Sequence, residues 1–389
     1  MTGRGRAAAG VPSDYLDPTQ LLIDLRRRSV ELGLIGPRVA STDRFEFEFS
    51  EIEAALSEGR SSTMAFTFRN PPRSTDPSSA LDGAKSILSF GLGYPEWSTT
   101  GMAKESIASY AVRDYYQQLR DSLSELCTMI VDSGYRALSV LDQNVTVDKG
   151  AARRSGLGWM GKNTLILTNK TGPYLVLGEI FTDCIFVRDQ PSPKGCGNCQ
   201  RCQVACPTGA LNRAYKLDAR LCLSWLLQKA GSFPIELRET LGLRFYGCDD
   251  CLISCPVGAK SRPAYSFEEP FDPVFWLEHD DVALLSAFSA LYIPKRDPGH
   301  LRRNLLLILG NHAACPSGGG AAIERHLTHP DPVVRGTAAW TAGRHGFVNL
   351  LSRYHESEPS HEVRAEIESA LARLYAAGRP EQVEPTSPG

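Results

Sequence analysis

Apolar and polar residues along the first half of the chain follow both the helical and the strand period. Apolar residues recur at intervals of three and four over 105–131, which predicts one long amphipathic helix. The run Ser86–Tyr94 is largely apolar, as is typical of a buried strand. A helix is also predicted over 21–34 and a short strand over 137–141. These elements indicate a mixed α/β fold.

Later in the chain the pattern changes twice. The apolar runs Thr164–Thr168 and Tyr174–Gly178 flank the turn sequence Asn169–Gly172, which predicts a β-hairpin. Towards the C-terminus the pattern becomes helical, and the segments His329–Trp340 and His361–Leu371 look alike. Short helical repeats bury their apolar faces only by stacking, so we predict a HEAT-like α-helical region.

These changes of pattern predict five parts. We expect a disordered N-terminal segment over 1–19 and a disordered tail over 378–389. Between them we predict an α/β domain over 20–188, a cysteine-rich domain over 189–262 and a helical region over 263–377.

Composition limits the partners and the location that we expect. The net charge is −2, so a nucleic acid would have to bind a local basic patch rather than the whole surface. No apolar stretch approaches the roughly 20 residues of a membrane helix, and the N-terminus lacks the apolar centre of a signal peptide. We therefore expect a cytoplasmic protein without a membrane partner.

Eight of the eleven cysteines lie between 196 and 255. The run from Cys196 to Pro207 has the spacing C-x2-C-x2-C-x3-C-P of two-cluster ferredoxins, in which the fourth cysteine binds the other cluster. A second run ends at Pro256, and Cys222 lies between the two runs. We predict two [4Fe-4S] clusters. The first is assigned Cys196, Cys199, Cys202 and Cys255, and the second Cys206, Cys222, Cys248 and Cys251.

Zinc is the main alternative to iron, because paired C-x2-C units also form tetrahedral zinc sites. The third closely spaced cysteine and the Cys-Pro endings of both runs favour iron–sulfur clusters instead. Disulfides are not expected, since nothing marks the chain as secreted. We interpret the remaining thiols, Cys127, Cys184 and Cys315, as buried small apolar groups.

A glycine-rich loop, Ser155–Thr164, combines three glycines with a Trp, a Lys and an Asn. Such a loop lets the backbone approach a large ligand, although a tight turn would explain the glycines equally well. The loop lacks the spacing of a P-loop. The chain also has no G-x-G-x-x-G between a strand and a helix, so a Rossmann nicotinamide or flavin site is not supported.

The segments Gly156–Thr164, Leu177–Asp183, Cys196–Gly209 and Tyr246–Cys251 resemble the epoxyqueuosine reductase family, and Arg302–Asn311 fits as well. The resemblance covers nearly the whole chain. It implies an α/β cobalamin-binding domain, a two-[4Fe-4S] ferredoxin-like domain and a HEAT-like region that holds tRNA. It also implies the reaction, which is reduction of epoxyqueuosine to queuosine at the wobble position of tRNA.

The resemblance also suggests roles for single residues. Asp142, at the end of a short strand, matches the position of the family's proton donor. The residues expected to contact cobalamin are Gly158, Trp159, Gly161, Lys162, Asn163 and Thr164. A basic surface for tRNA is expected at Lys295, Arg296, Arg302 and Arg303, although a solvated helix face is the alternative. A reduced flavodoxin or ferredoxin would supply electrons, and we expect a monomer.

Two positions depart from the family pattern. After Asp142 the chain reads Gln-Asn-Val-Thr-Val-Asp148, where the family has a small pair, a Pro and later a Glu. A helix motif that usually ends in Asp-Tyr-His ends here at Tyr116. The alternative function is therefore a related cobalamin and iron–sulfur reductase with a small-molecule substrate, and a non-enzymatic electron carrier is a third. Cobalamin rests on resemblance alone, because no Asp-x-His-x-x-Gly loop is present.

Overall fold

The computed structural model describes residues 16–94, 106–258, 271–376 and 378. The disordered segments expected at the two termini therefore lie largely outside the described residues, as does the domain boundary expected at 262. Among the described residues, no helix combines the length and the apolar character that crossing a bilayer requires.

A four-stranded antiparallel sheet forms the centre of the N-terminal region. In chain order, the six strands of the described N-terminal region are β1 (Leu34–Ala40), β2 (Ser86–Gly93), β3 (Ala137–Val140), β4 (Trp159–Met160), β5 (Ile166–Leu167) and β6 (Leu175–Thr182). The large sheet has the order β1-β2-β6-β3, and β4 pairs with β5 in a separate two-stranded sheet. β2 is buried along nearly its whole length, which confirms the strand predicted there.

Helices cover the sheet and form the C-terminal region. In the first part they are α1 (Pro18–Glu31), α2 (Glu46–Ser57), α3 (Pro71–Ser74), α4 (Tyr115–Asp132) and α5 (Asp148–Ser155). The cysteine segment holds α6 (Arg201–Val204), α7 (Leu223–Gln228) and α8 (Asp250–Ile253). The C-terminal helices are α9 (Pro273–Leu277), α10 (Asp281–Ala287), α11 (Pro298–Asn311), α12 (Gly319–Leu327), α13 (Pro332–Arg344), α14 (Val348–His355) and α15 (His361–Ala376).

The long helix predicted over 105–131 begins only at Tyr115. Asp114 caps α4 by accepting a hydrogen bond from the backbone N–H of Gln117 at 2.8 Å. Upstream, Ala108 donates its N–H to the carbonyl of Tyr246 at 2.8 Å. The first part of the prediction is therefore wrong, because this segment makes its backbone hydrogen bonds with the cysteine segment.

The predicted hairpin over 164–178 is also wrong. β5 pairs with β4, whereas β6 lies between β2 and β3 in the large sheet. A single bridge between Thr168 and Gly172 connects the two runs. At the centre of the sheet, β6 finds backbone partners along both edges, which a short hairpin partner would not provide.

The C-terminal helices stack in the order α11, α13, α15. The two look-alike segments, α13 and α15, lie against one another, as their repetition predicted. Gly343 lets α13 approach closely, since a side chain there would meet Ala370 of α15 at 2.7 Å. One apolar core extends from this stack to Ile107 and Tyr246, so the helical region and the cysteine segment pack as neighbours.

Candidate functional site

Two short helices carry the ends of both cysteine runs. α6 contains Cys202 and is followed by Cys206, while α8 contains Cys251 and is followed by Cys255. The two helices pack against each other. Each helix thus brings one cysteine of each predicted set to the same place.

The electrostatic neighbours of the thiols match the first predicted set. Burial raises the pKa of Cys202, and the nearby thiols Cys196, Cys255 and Cys199 raise it further. Four mutually repelling sulfur ligands in one place suit a bound cationic centre. Thiolate sulfur is also the donor that iron–sulfur clusters use. The residues present therefore fit a cluster at this position.

The other four thiols form a second group. Burial raises the pKa of Cys251 well above its ordinary value, with further contributions from Cys248 and Cys222. The pKa of Cys222 is raised by burial and also by Cys206. Cys202 of the first group contributes weakly at Cys251 as well, so the two groups are neighbours.

A cavity of about 690 Å³ lies between the sheet, α4 and the cysteine segment. One wall is apolar and comes from Leu175–Leu177 of β6. All four thiols of the second group line the cavity, namely Cys206, Cys222, Cys248 and Cys251. No cysteine of the first group is among the lining residues in the described part of the chain. The second group is therefore the one that faces a ligand in this cavity.

Asp142 lines the opposite part of the cavity, two residues beyond β3. Its φ of 49° is in the left-handed region, which a non-glycine residue adopts at an energetic cost. The side chain is open to the cavity, but protein atoms surround it on most sides. This burial raises the pKa of Asp142, and the nearby Arg120 opposes the rise.

Two further carboxyl groups lie behind Asp142. Asp148 lines the cavity at the start of α5, and Glu179 is fully buried in β6. Burial raises the pKa of Asp148 to about 7, with a further rise from Asp142 and an opposing contribution from Lys149. Burial and Asp148 raise the pKa of Glu179 well above its ordinary value. The pair therefore retains a proton near neutral pH.

Sequence reasoning did not assign this acid pair a role. Asp148 was noticed only as a departure from the family pattern. Glu179 carried a usable signal, because it is an acid inside the otherwise apolar strand β6 and has no exposed surface. Asp148 is an electrostatic neighbour of Glu179, but neither carboxylate oxygen of Glu179 has a hydrogen-bond partner among the described residues.

Only part of the glycine-rich loop reaches the cavity. Asn163 and Thr164 line it, whereas the other four predicted cofactor contacts do not. Trp159 packs with Cys255, and the Nζ of Lys162 donates to the carbonyl of Gly197 at 2.7 Å. The prediction for four of the loop residues needs correction, because Trp159 and Lys162 contact the cysteine segment instead and the two glycines lie outside the cavity lining. The four are Gly158, Trp159, Gly161 and Lys162.

Gly158 and Gly161 of this loop allow close packing of the protein rather than the approach of a ligand. A side chain at Gly158 would meet the carbonyl oxygen of Leu167 at 2.5 Å, and one at Gly161 would meet Oδ1 of Asn163 at 2.5 Å. Both positions lie beside the short β4–β5 pair. The tight-turn explanation of these glycines is therefore the better one.

The structure separates the four residues predicted to contact tRNA. Arg303 is 1% exposed and donates to the carbonyls of Lys229 and Gly231 at 2.7 and 2.6 Å. Arg302 is also buried and bonds the carboxylate of Asp281 at 2.7 Å. Both guanidinium groups are occupied inside the fold, so their assignment to tRNA is wrong.

Lys295 and Arg296, by contrast, are exposed. They form a turn shortly after Tyr292, which lines the cavity and is 53% exposed. The ring of Phe66 lies between Tyr292 and Trp225, with centroid distances of 6.3 and 6.2 Å. Nε1 of Trp225 has no hydrogen-bond partner among the described residues. The rings of Tyr292 and Phe66 thus lie near the basic turn that holds Lys295 and Arg296.

The family departure at Tyr116 also falls in the cavity. Tyr116 lines it on α4, and burial together with the charge of Asp142 raises its pKa. Asp148, the other departure, lies across the same space. Both positions are therefore placed to contact a substrate bound near Asp142.

The site defines an iron–sulfur oxidoreductase, and comparison with known proteins agrees. A family model described as 4Fe-4S double cluster binding domain matches residues 195–258. A second model, described as Epoxyqueuosine reductase QueG, DUF1730, matches residues 74–148. The chain belongs to the epoxyqueuosine reductase family, as the relatives described next establish.

The epoxyqueuosine reductase of Escherichia coli strain K12 is 33% identical over 320 residues, which cover 77% of this chain and 83% of that protein. The epoxyqueuosine reductase of Bacillus anthracis is 30% identical over 386 residues, which cover 92% of this chain and 99% of that protein. A crystal structure of epoxyqueuosine reductase with an epoxyqueuosine-modified tRNA-Tyr stem loop matches with a TM-score of 0.82 and 27% identity. That match covers 92% of this chain and all of the other.

Proposed function

We propose that this protein reduces epoxyqueuosine in tRNA to queuosine. The observation that carries the proposal is the cavity, in which Asp142 and one complete set of four cysteines face the same space. Relatives that cover most of the chain are epoxyqueuosine reductases, and one has been crystallised with an epoxyqueuosine-modified tRNA stem loop.

The arrangement suits the chemistry of this reaction. Opening an epoxide to an alkene takes two electrons and two protons and releases the oxygen as water. Iron–sulfur clusters deliver electrons singly, and the second cysteine group would bring them to the cavity wall. The protein must then supply the protons and exclude other reactions.

The residues lining the cavity also fit cobalamin, which we propose as the second cofactor. When bound, a corrinoid supplies a low-valent cobalt that attacks carbon. The apolar wall Leu175–Leu177 and the loop residues Asn163 and Thr164 would hold it next to the cysteines.

Asp142 is the proposed proton donor. A donor must carry a proton at the working pH, and burial raises the pKa of Asp142 in that direction. Its position in a loop agrees with a relative, since the Bacillus subtilis enzyme has been seen with the catalytic loop of its Asp swung out of the active site.

The tRNA is proposed to bind beside the mouth of the cavity. Lys295 and Arg296 would contact phosphates, and Tyr292 would stack on a base as single-stranded RNA requires. Arg113 is exposed on the cavity rim and extends the basic surface. The stacked helices α11, α13 and α15 form the HEAT-like support behind this surface.

Nucleoside mass spectrometry of tRNA tests the proposal. The chain is expressed in a host that lacks its own epoxyqueuosine reductase, and conversion of epoxyqueuosine to queuosine is expected. Asp142→Asn is the matched inactive variant, and Asp121→Asn, an exposed Asp on α4, is the control. Persistence of epoxyqueuosine with a protein that holds clusters and cobalamin would contradict the proposal.

One observation favours a second candidate function. Tyr116 and Asp148 depart from the family pattern and both line the cavity. A small-molecule substrate for the same cofactors would explain why the departures lie there. Under this alternative the chain would carry both cofactors but leave epoxyqueuosine unchanged in the same assay.

A further inference from the structure

A second depression lies over the cysteine segment and shares no lining residue with the catalytic cavity. It is shallow and has a volume of about 610 Å³. α6, α8 and the residues beside them form it. The lining residues are Gln200, Arg201, Val204, Ala205, Ile253 and Ser254.

Apolar side chains are unusually open to solvent in this depression. Val204 is 84% exposed and Ile253 is 38% exposed. Each is only two residues from a cysteine on either side, because the helices are so short. These two side chains give the depression a small apolar surface bordered by the polar residues Gln200, Arg201 and Ser254. This patch lies directly over the junction of the two cysteine groups.

The charge on the α6 side of the depression is positive, while Asp250 of α8 is paired with Arg244. Residues 190–217 contain Lys194, Arg201, Arg213 and Lys216 but no Asp or Glu. Arg213 and Lys216 form ion pairs with acids of α2 and the turn after it. Among the described residues, neither Arg201 nor Lys194 has an acidic partner. Of these two cations Arg201 lines the depression, so an acidic surface docked there would meet a cation without an acidic partner.

The direction of electron flow supports a role for this face. The second cysteine group lines the catalytic cavity, so electrons must reach it from the first group. The residues between Cys196 and Cys202 include the exposed Gly197, Asn198, Gln200 and Arg201. The first group is thus the one whose connecting segment is open to solvent, and Gln200 and Arg201 of that segment line the depression, where an external donor has access.

We propose that this depression is the docking site of a small acidic protein that carries single electrons. The inference rests on the proposed function, since it names the source of its electrons. At each encounter the carrier loses one electron and the first cluster gains it. Two encounters supply the two electrons of one turnover. A small, transient contact suits such exchange, because redox encounters form small interfaces.

The test measures cluster reduction by a protein donor, with reduced flavodoxin as the probe. Arg201→Glu and Val204→Asp alter the depression, while Arg373→Glu and Val30→Asp are the matched controls at exposed sites elsewhere. Stopped-flow absorbance follows the clusters in the absence of tRNA, so the result does not depend on the substrate. Iron content shows that each variant keeps its clusters.

We expect Arg201→Glu to lower the second-order rate constant about tenfold at low salt, because charge complementarity acts mainly on association. The loss should shrink at high salt through screening. Val204→Asp should lower the rate at any salt. Reduction by dithionite, which needs no docking, should remain unchanged for both variants.

Three results would overturn the proposal. One is an unchanged rate with flavodoxin in both variants. Another is an equal loss with dithionite, which would mean that the clusters themselves are disturbed. The third is a change in oligomeric state on size-exclusion chromatography, which would identify the depression as an interface between copies of this chain. If the variants lose cluster reduction by flavodoxin but keep cluster reduction by dithionite, docking is supported even if epoxyqueuosine is not the substrate.

Discussion

Replacing Asp148 by Asn should stabilise the protein, and increasingly so as the pH rises. In the folded protein the pKa of Asp148 is raised from 3.8 to about 7 by burial, with Asp142 adding to the rise and Lys149 and Glu179 opposing it. A raised pKa means that the folded state holds the proton more tightly than the unfolded chain does. The stability that this proton brings is present below pH 4 and is lost as the pH rises towards 7.

The size of the effect follows from the shift. One pKa unit corresponds to about 1.4 kcal/mol, so a shift of about three units costs the wild type about 4 kcal/mol above pH 7. About half of this loss has already occurred at pH 5.5. The Asn side chain resembles the protonated acid and does not ionise, so the variant does not lose this stability. Between pH 5.5 and 8.5 the advantage of Asp148→Asn should therefore grow by about 2 kcal/mol.

Thermal unfolding under anaerobic conditions at pH 5.5 and 8.5 measures this change. A gain of 2 kcal/mol should raise the melting temperature of the variant relative to wild type by roughly 2 to 3 °C more at pH 8.5 than at pH 5.5. Asp121→Asn, on the exposed face of α4, controls for the loss of one charge. Equal shifts at the two pH values would refute the conclusion that Asp148 and Glu179 hold a proton near neutrality.

Further predictions concern the chemistry, the clusters and the tRNA. Asp142→Asn should keep iron and cobalamin but lower product formation at least about a hundredfold by nucleoside mass spectrometry, and normal turnover would exclude Asp142 as the donor. Cys222→Ser should halve the iron content to about four atoms per chain, while a loss of zinc would contradict the cluster assignment. Changing Lys295 and Arg296 to Ala should reduce the slope of log Kd for tRNA against log salt concentration by about two. An unchanged slope would mean that tRNA binds at another surface.

The cysteine pattern was the most informative part of the sequence. Spacing alone grouped the eight thiols, and the thiols with the largest electrostatic effects on Cys202 and Cys251 belong to those same groups. Ligand spacing is predictable because a cluster fixes where its four sulfur atoms stand, whatever surrounds them. The position of Asp142 at the end of a strand could likewise be predicted, because the apolar pattern predicted the strand before it.

Other parts depended on tertiary contacts that periodicity does not contain. Arg302 and Arg303 follow one another in a basic stretch, which is typical of a nucleic-acid surface. In the fold, Arg303 donates hydrogen bonds to backbone carbonyls near the end of α7, and Arg302 donates to the carboxylate of Asp281. The glycine-rich loop misled for a similar reason, because its neighbours are the cysteine segment and β5. No local pattern distinguishes a glycine that admits a ligand from one that admits a backbone.

The same reasoning locates where this chain differs from its family. The wall of the cavity formed by cysteines is constrained by cluster geometry, so it has little freedom to change. Another part of the lining, which comes from α4 and the start of α5, carries Tyr116 and Asp148, which lie in the two departures. A change on that side alters what is held against Asp142 and leaves electron delivery intact. Substituting Tyr116 by His should therefore change the substrate KM more than the rate of cluster reduction, and the opposite result would place Tyr116 on the electron path.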